Sequence, residues 1–257
     1  MDEPKSDSTL LTLDPPECPR VRFARNLIRI AVCELRFPTS LQLETAIPAS
    51  FQSKLRKNYP LYEAQQEITL DPNRSTRNVY LFKSKKNDWI VQLKSDSLVL
   101  ESHKYSEFEE FLSRLKELVS QAAEITDTDF YTRIGLRYIN DVPLPDGNPR
   151  GWLNPILYSV LDAEVLGTVD REKHEYSGRT YFGGFQFRHG PHLGALKTTK
   201  NEDAIVNYVL DFDYWQENID APEMDSFLIK ANEINFKFFR WCLAEEAIKW
   251  MGEQTPK

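Results

Sequence analysis

The sequence predicts an α+β fold built on antiparallel sheet, and three observations predict it. Short runs rich in β-branched and aromatic residues alternate with polar turns, as from Val79 to Leu100. An apolar stripe at three- and four-residue spacing runs through Phe108, Phe111, Leu115, Leu118 and Ala122, the mark of a helix with one buried face. After Asp127 the order strand, helix, meander, long helix starts again. The expected architecture is therefore an antiparallel sheet built from two pseudo-repeated halves, with both long helices on one face.

Taken in order, residues 1–22 are acidic and rich in proline, with too little apolar area to offset ordering entropy, and read as a flexible N-terminal arm. Residues 23–257 read as one α+β domain in two halves, 23–126 and 127–257. Ile28 to Phe37 alternates as a strand, closed by Pro38. A short helix is expected from Ala49 to Asn58, ending before Pro60. Val79–Phe82, Trp89–Leu93 and Leu98–Leu100 form a three-strand meander, and Ser106 with Glu109 reads as a capping box opening the striped helix.

In the second half, Tyr131 to Val142 alternates as a long strand and Trp152 to Leu161 looks helical. Tyr181–Phe187 and Ile205–Tyr214 are β-rich, the polar stretch Ala163–Thr180 reads as a loop, and one long helix from about Ser226 to Met251 closes the chain. The opening strands of the halves share Leu35-Arg36-Phe37 and Leu136-Arg137-Tyr138. The closing helix carries Phe236, Phe238, Phe239, Trp241 and Trp250 around much of its circumference. It is therefore either sandwiched in the monomer core or presents a homodimer or protein-partner contact.

Composition narrows the function classes. A net charge of −7 disfavours a nucleic-acid-coating role, because such affinity comes from lysines and arginines displacing counterions at phosphates. The three cysteines are far apart, with no metal or redox spacing, and read as free thiols of a reducing compartment. No basic start with an apolar run opens the sequence and no window reaches the length of a membrane span, so the expected location is cytoplasmic, without a membrane partner.

No P-loop, dinucleotide fingerprint, nucleophile elbow or zinc-protease motif occurs, and no cofactor is expected. Arg188-His189-Gly190 is the tripeptide of histidine phosphatases but lies late in an antiparallel region, so His189-Gly190-Pro191-His192 reads as a tight turn between strands with surface histidines. A structural metal on His189, His192 and His174 is the alternative to that turn.

The strongest candidate site is a polar sheet face. Asp211 and Asp213, two apart on a strand, project to one side, opposite Tyr208, Leu210 and Phe212. Arg133 and Arg137 share a face of the mid-chain strand, and Arg36 occupies the matching position in the first half. Such carboxylates and guanidiniums suit a small polar or anionic ligand, or else form a solvated ion-pair network. A second, weaker candidate is the basic, aromatic-bearing run Arg20, Arg22, Phe23, Arg25 and Arg29, which suits phosphate contact or protection of a sheet edge.

Phe23 to Pro38, Tyr59-Pro60, Arg133-Ile134-Gly135-Leu136-Arg137-Tyr138-Ile139-Asn140, Leu210-Asp211-Phe212-Asp213 and the aromatic closing helix together resemble a sporadically distributed family of uncharacterised prokaryotic proteins. Leu27 stands where that pattern has proline. The resemblance implies a bacterial or archaeal cytoplasmic source and hints at mobile or defence-associated genes. It brings no activity with it. The expected function is a non-enzymatic binding or regulatory protein. The alternatives are a small-anion or nucleotide-binding enzyme or sensor using Arg36, Arg133, Arg137, Asp211 and Asp213, and weak nucleic-acid binding through the basic segment.

Overall fold

A computed structural model describes residues 14–68, 76–144, 147–158, 173–180, 183–193 and 206–254. Among them are eleven strands and five α-helices, in the order β1 (Arg22–Phe23), β2 (Ile28–Arg36), α1 (Leu41–Thr45), α2 (Ala49–Leu55), β3 (Leu61–Ile68), β4 (Thr76–Lys83), β5 (Trp89–Leu93), β6 (Ser97–Ser102), α3 (Phe108–Thr126), β7 (Phe130–Leu144), β8 (His174–Thr180), β9 (Gly183–Leu193), β10 (Val206–Asp220), α4 (Met224–Cys242), α5 (Glu245–Met251) and β11 (Glu253–Gln254). Nine strands form one antiparallel sheet in the order β3-β4-β5-β6-β2-β7-β10-β9-β8, and β1 pairs with β11. The mixed, antiparallel class expected from the sequence is what folds.

The chain divides into two compact units. One comprises Met1–Leu27, Asn140–Tyr214 and Glu233–Lys257; the other comprises Ile28–Ile139 and Trp215–Asn232.

In the second of these, alternation along β2 buries Ala31, Cys33 and Leu35, and the register Cys33↔Leu100 and Val91↔Leu100 stacks them beside the buried residues of β6 and β5. The stripe on α3 covers that layer: Phe111, Leu115 and Leu118 are buried, and a small cavity is lined by Leu35 and Leu98 from the sheet together with Val119 and Ala122 from the helix. The expected capping box does not form. Glu107, in extended conformation, is the N-cap, which places Ser106 outside the helix, and the Ser106 hydroxyl donates instead to Glu110 Oε2 at 2.6 Å. Glu110 is held there by Arg114 one turn on, at 2.9 Å. Two further elements were not anticipated, α1 and β3; the latter is exposed at Leu61–Glu67 and so lacks the apolar alternation by which strands are read.

In the other unit the core gathers Val142 and Leu144 of β7, Tyr208, Leu210 and Phe212 of β10, and Phe239 of α4. Four expectations are corrected here. The stretch expected as a loop from Ala163 to Thr180 contains β8, paired His174↔His189 and Tyr176↔Phe187, while its residues 163–172 lie outside the described ones. The His189-Gly190-Pro191-His192 turn is instead the interior of β9. Pro191 lies beyond the last β8 pair, so its missing N–H leaves no gap in the β8 pairing.

The closing helix is broken at Leu243–Ala244 into α4 and α5, because a distant segment takes up the free helix-end groups. Asn154 N donates to Cys242 O at 2.8 Å, the Asn154 side-chain amide to Trp241 O at 3.1 Å, and Ala244 N to Trp152 O at 2.9 Å. That segment, expected as a helix from Trp152 to Leu161, holds only a 3-10 turn at Pro155–Leu157, capped by Asn154 Oδ1 accepting from Ile156 N; residues 159–161 lie outside the described ones.

Candidate functional site

Strand alternation positions the candidate residues. On β7, Ile134, Leu136 and Tyr138 are buried on one side, which leaves Arg133, Gly135 and Arg137 on the other. Arg133 Nη1 donates to Glu34 Oε2 at 2.8 Å, and Arg36 Nε approaches the same oxygen at 3.0 Å. Two guanidiniums of β7 and β2 thus share one carboxylate. The Arg133 guanidinium also lies over the Trp215 ring, 4.9 Å from its centroid. Gly135 makes this possible: a Cβ there would sit 2.7 Å from Arg133 Nη1, so only glycine lets the side chain lie flat along its own strand. Arg133 is therefore fixed on three sides, whereas Arg36 keeps a half-exposed side chain. Arg137 is engaged in further interactions.

Asp211 and Asp213 belong to the other unit, on the side of β10 opposite Tyr208, Leu210, Phe212 and Tyr214. Asp211 is buried, with Arg188 Nη1 at 3.8 Å from its carboxylate, and Asp213 has partners of its own. Arg188 Nε donates to Glu175 Oε2 at 3.0 Å and Gln186 Nε2 donates to Glu175 Oε1 at 2.7 Å. Hydrogen bonds from Arg188 and then Lys173 hold the Glu175 carboxyl below the usual range. The structure thus sets Arg36 and Arg133 around Glu34 in one unit and Asp211 beside Arg188 in the other.

Sequence reasoning missed Glu34, Trp215, Arg188 and Glu175. A signal was present for two of them, since Glu34 is two residues from Arg36 and Trp215 two from Asp213, each on the same strand face.

His189, expected at the surface, is buried in an aromatic stack: His174 at 4.8 Å, Phe187 at 4.7 Å and Tyr176 at 5.8 Å between ring centroids. Burial, with the nearby His174, depresses its pKa to about 4, so the ring is neutral. Among the described residues no group of three or more His, Cys, Asp or Glu side chains is placed to hold a metal.

The basic segment and the closing helix meet inside one unit. Arg25 donates to the Trp250 carbonyl and lies over its ring at 4.7 Å, and Phe23 stands 6.5 Å from Phe236. Phe238 packs on Phe187 at 4.8 Å and Phe212 at 5.0 Å, so these aromatic side chains of the closing helix have intramolecular partners. Among the described residues no helix is long and apolar enough to cross a membrane. No protein-family model and no curated protein matches the chain.

Proposed function

We propose that this chain is a binding or regulatory protein that takes a small anionic ligand, a carboxylate or phosphate, at Arg36, Arg133 and Arg137 on the polar side of β2 and β7. The single observation that carries the reading is the preorganisation of Arg133, seated over Gly135, stacked on Trp215 and steered by Glu34. A guanidinium held in place before binding loses little rotamer freedom when a planar anion arrives, and its fork matches carboxylate and phosphate oxygens. Arg36 supplies a second, half-exposed guanidinium on the same carboxylate.

A thermal-shift screen of inorganic phosphate, nucleotides and dicarboxylates tests it. A ligand at about 100 times its dissociation constant adds about 2.7 kcal/mol, a shift of several degrees, and that shift disappears in Arg133→Ala. Silence across the panel retires the reading.

The strand order supports reading the chain as a duplication with each half strand-helix-meander-helix. From the middle outward one side runs β2, β6, β5, β4 and the other β7, β10, β9, β8, so each half places its opening strand innermost and its last meander strand next. On this reading α3 and α4 are equivalent helices on one sheet face. The buried thiols of Cys33 and Cys242 support a reducing, cytoplasmic location, and the sequence resemblance supports a prokaryotic source.

A further inference from the structure

The C-terminal half of α4 carries two cations one turn apart, Lys237 and Arg240. Each is in an unusual state. Lys237 lies 2.7 Å from Glu233 on its own helix and 2.7 Å from Glu17, which comes from the irregular segment Asp14–Val21 before β1. Hydrogen bonds to Glu17 first and Glu233 second hold its ammonium above the ordinary lysine range. Arg240 sets its guanidinium 5.9 Å from the Phe23 ring, and its Nε and Nη1 are buried without a hydrogen-bond partner among the described residues. A buried donor left unmade costs free energy comparable to a lost charged hydrogen bond, so a state that brings an anion to this guanidinium is favoured.

Asp14–Val21 crosses the same surface. Its Cys18 lies close enough for the charges of Arg240 and Lys237 to pull its thiol down, against the larger upward effect of burial. The segment is tied to Lys237 through the Glu17 carboxylate, which is 84% exposed, and such a contact contributes little and weakens with salt.

We infer that the Lys237–Arg240 surface of α4 is a docking site for an acidic segment of a partner protein, and that Asp14–Val21 occupies it as an internal stand-in, with Glu17 in place of the partner's carboxylate. The occupant already present on Lys237 is a carboxylate, which favours an acidic peptide over a phosphate backbone. Displacing the segment leaves Lys237 to the incoming chain and gives Arg240 the acceptor it lacks. This surface belongs to the unit that does not contain Arg36 and Arg133.

The three thiols supply the assay. Cys33 and Cys242 are fully buried and Cys18 is half-buried, so a disulfide-exchange reagent applied to the full chain reacts first at Cys18 and reads out displacement of the segment. Poly-glutamate at constant ionic strength is expected to raise that rate several-fold. Glu17→Ala alone raises it by about fivefold or less, the range of an exposed pair. In Arg240→Gln the poly-glutamate acceleration is lost, while Arg240→Lys, which keeps the charge, retains part of it; Cys18→Ser abolishes the fast phase. A rate indifferent to poly-glutamate, or full acceleration persisting in Arg240→Gln, overturns the proposal. Acceleration by oligothymidylate equal to or above that by poly-glutamate overturns it too, in favour of nucleic acid.

Discussion

His189 Nδ1 lies 2.6 Å from the Tyr208 hydroxyl, and that hydroxyl donates its only proton to the Leu157 carbonyl 2.8 Å away. The imidazole must therefore be the donor, with its proton on Nδ1. A second proton would have to go on Nε2, and burial of the ring disfavours the charge it brings.

Stability should therefore fall with acid in a defined window. Unfolded, His189 takes a proton near pH 6.5, and folded only near 4. Its contribution is complete above about pH 6.5 and declines as the pH drops towards 4, by roughly 3 kcal/mol in all. The check is urea denaturation at pH 7 and pH 4.5 for the natural chain and for His189→Phe. The variant is expected to lose the part of the pH dependence that falls between 4 and 6.5. Identical slopes in both would show that His189 is not the proton acceptor.

Gly135→Ala separates binding from folding. The added Cβ meets the far end of a flexible side chain, and a strand residue gains backbone stiffness over glycine, so stability should stay within about 1 kcal/mol. The Arg133 guanidinium must move, and the ligand-induced thermal shift should shrink about tenfold in apparent affinity. Unchanged affinity would mean that Arg133 needs no such seat.

Gly151 is a different case. Its φ of +77° is left-handed, a Cβ there would stand 2.6 Å from the Glu246 carboxylate carbon, and its carbonyl accepts the Glu246 amide at 3.0 Å. Gly151→Ala should cost about 1–3 kcal/mol in chemical denaturation. Adding Glu246→Ala should recover the steric part and leave the backbone part. A neutral single variant would contradict this picture.

Phe187 is stacked on Phe212, with centroids 5.0 Å apart and planes 6° apart, and meets Phe238 edge-on. Phe187→Ala should cost about 3–5 kcal/mol and Phe187→Leu distinctly less, measured as unfolding midpoints. Equal costs would indicate that shape complementarity counts for little there.

How far the sequence was legible depended on whether one face of an element was apolar. The α3 stripe and the β5, β6 and β7 runs could be read because burial on one side imposes a period of 3.6 or 2. β3, with Leu61-Tyr62-Glu63-Ala64-Gln65-Gln66-Glu67 exposed, and β8, a polar outer strand, carry no such period. Local capping chemistry misled at Ser106, because the competing partner of Glu110 is a side chain one turn downstream. His189 misled because a residue type common at surfaces is satisfied here by a tyrosine 19 residues away. Of the polar face, alternation located Arg133, Arg137, Asp211 and Asp213 on their strands. The partners that seat Arg133 come from three strands, and no single stretch of sequence announces that meeting.

The break between α4 and α5 has a bearing on synthesis. Because Leu153 bridges Leu243, and Gly151 O, Trp152 O and Asn154 N pair with Glu246 N, Ala244 N and Cys242 O, that half of the core has no finished counterpart while the nascent chain still holds residues 242–246 in the ribosomal tunnel. Leu27 and Met251 share the same cluster, so its earliest-made piece must wait for one made more than two hundred residues later. Until then its aromatic residues are the ones most in need of chaperone cover.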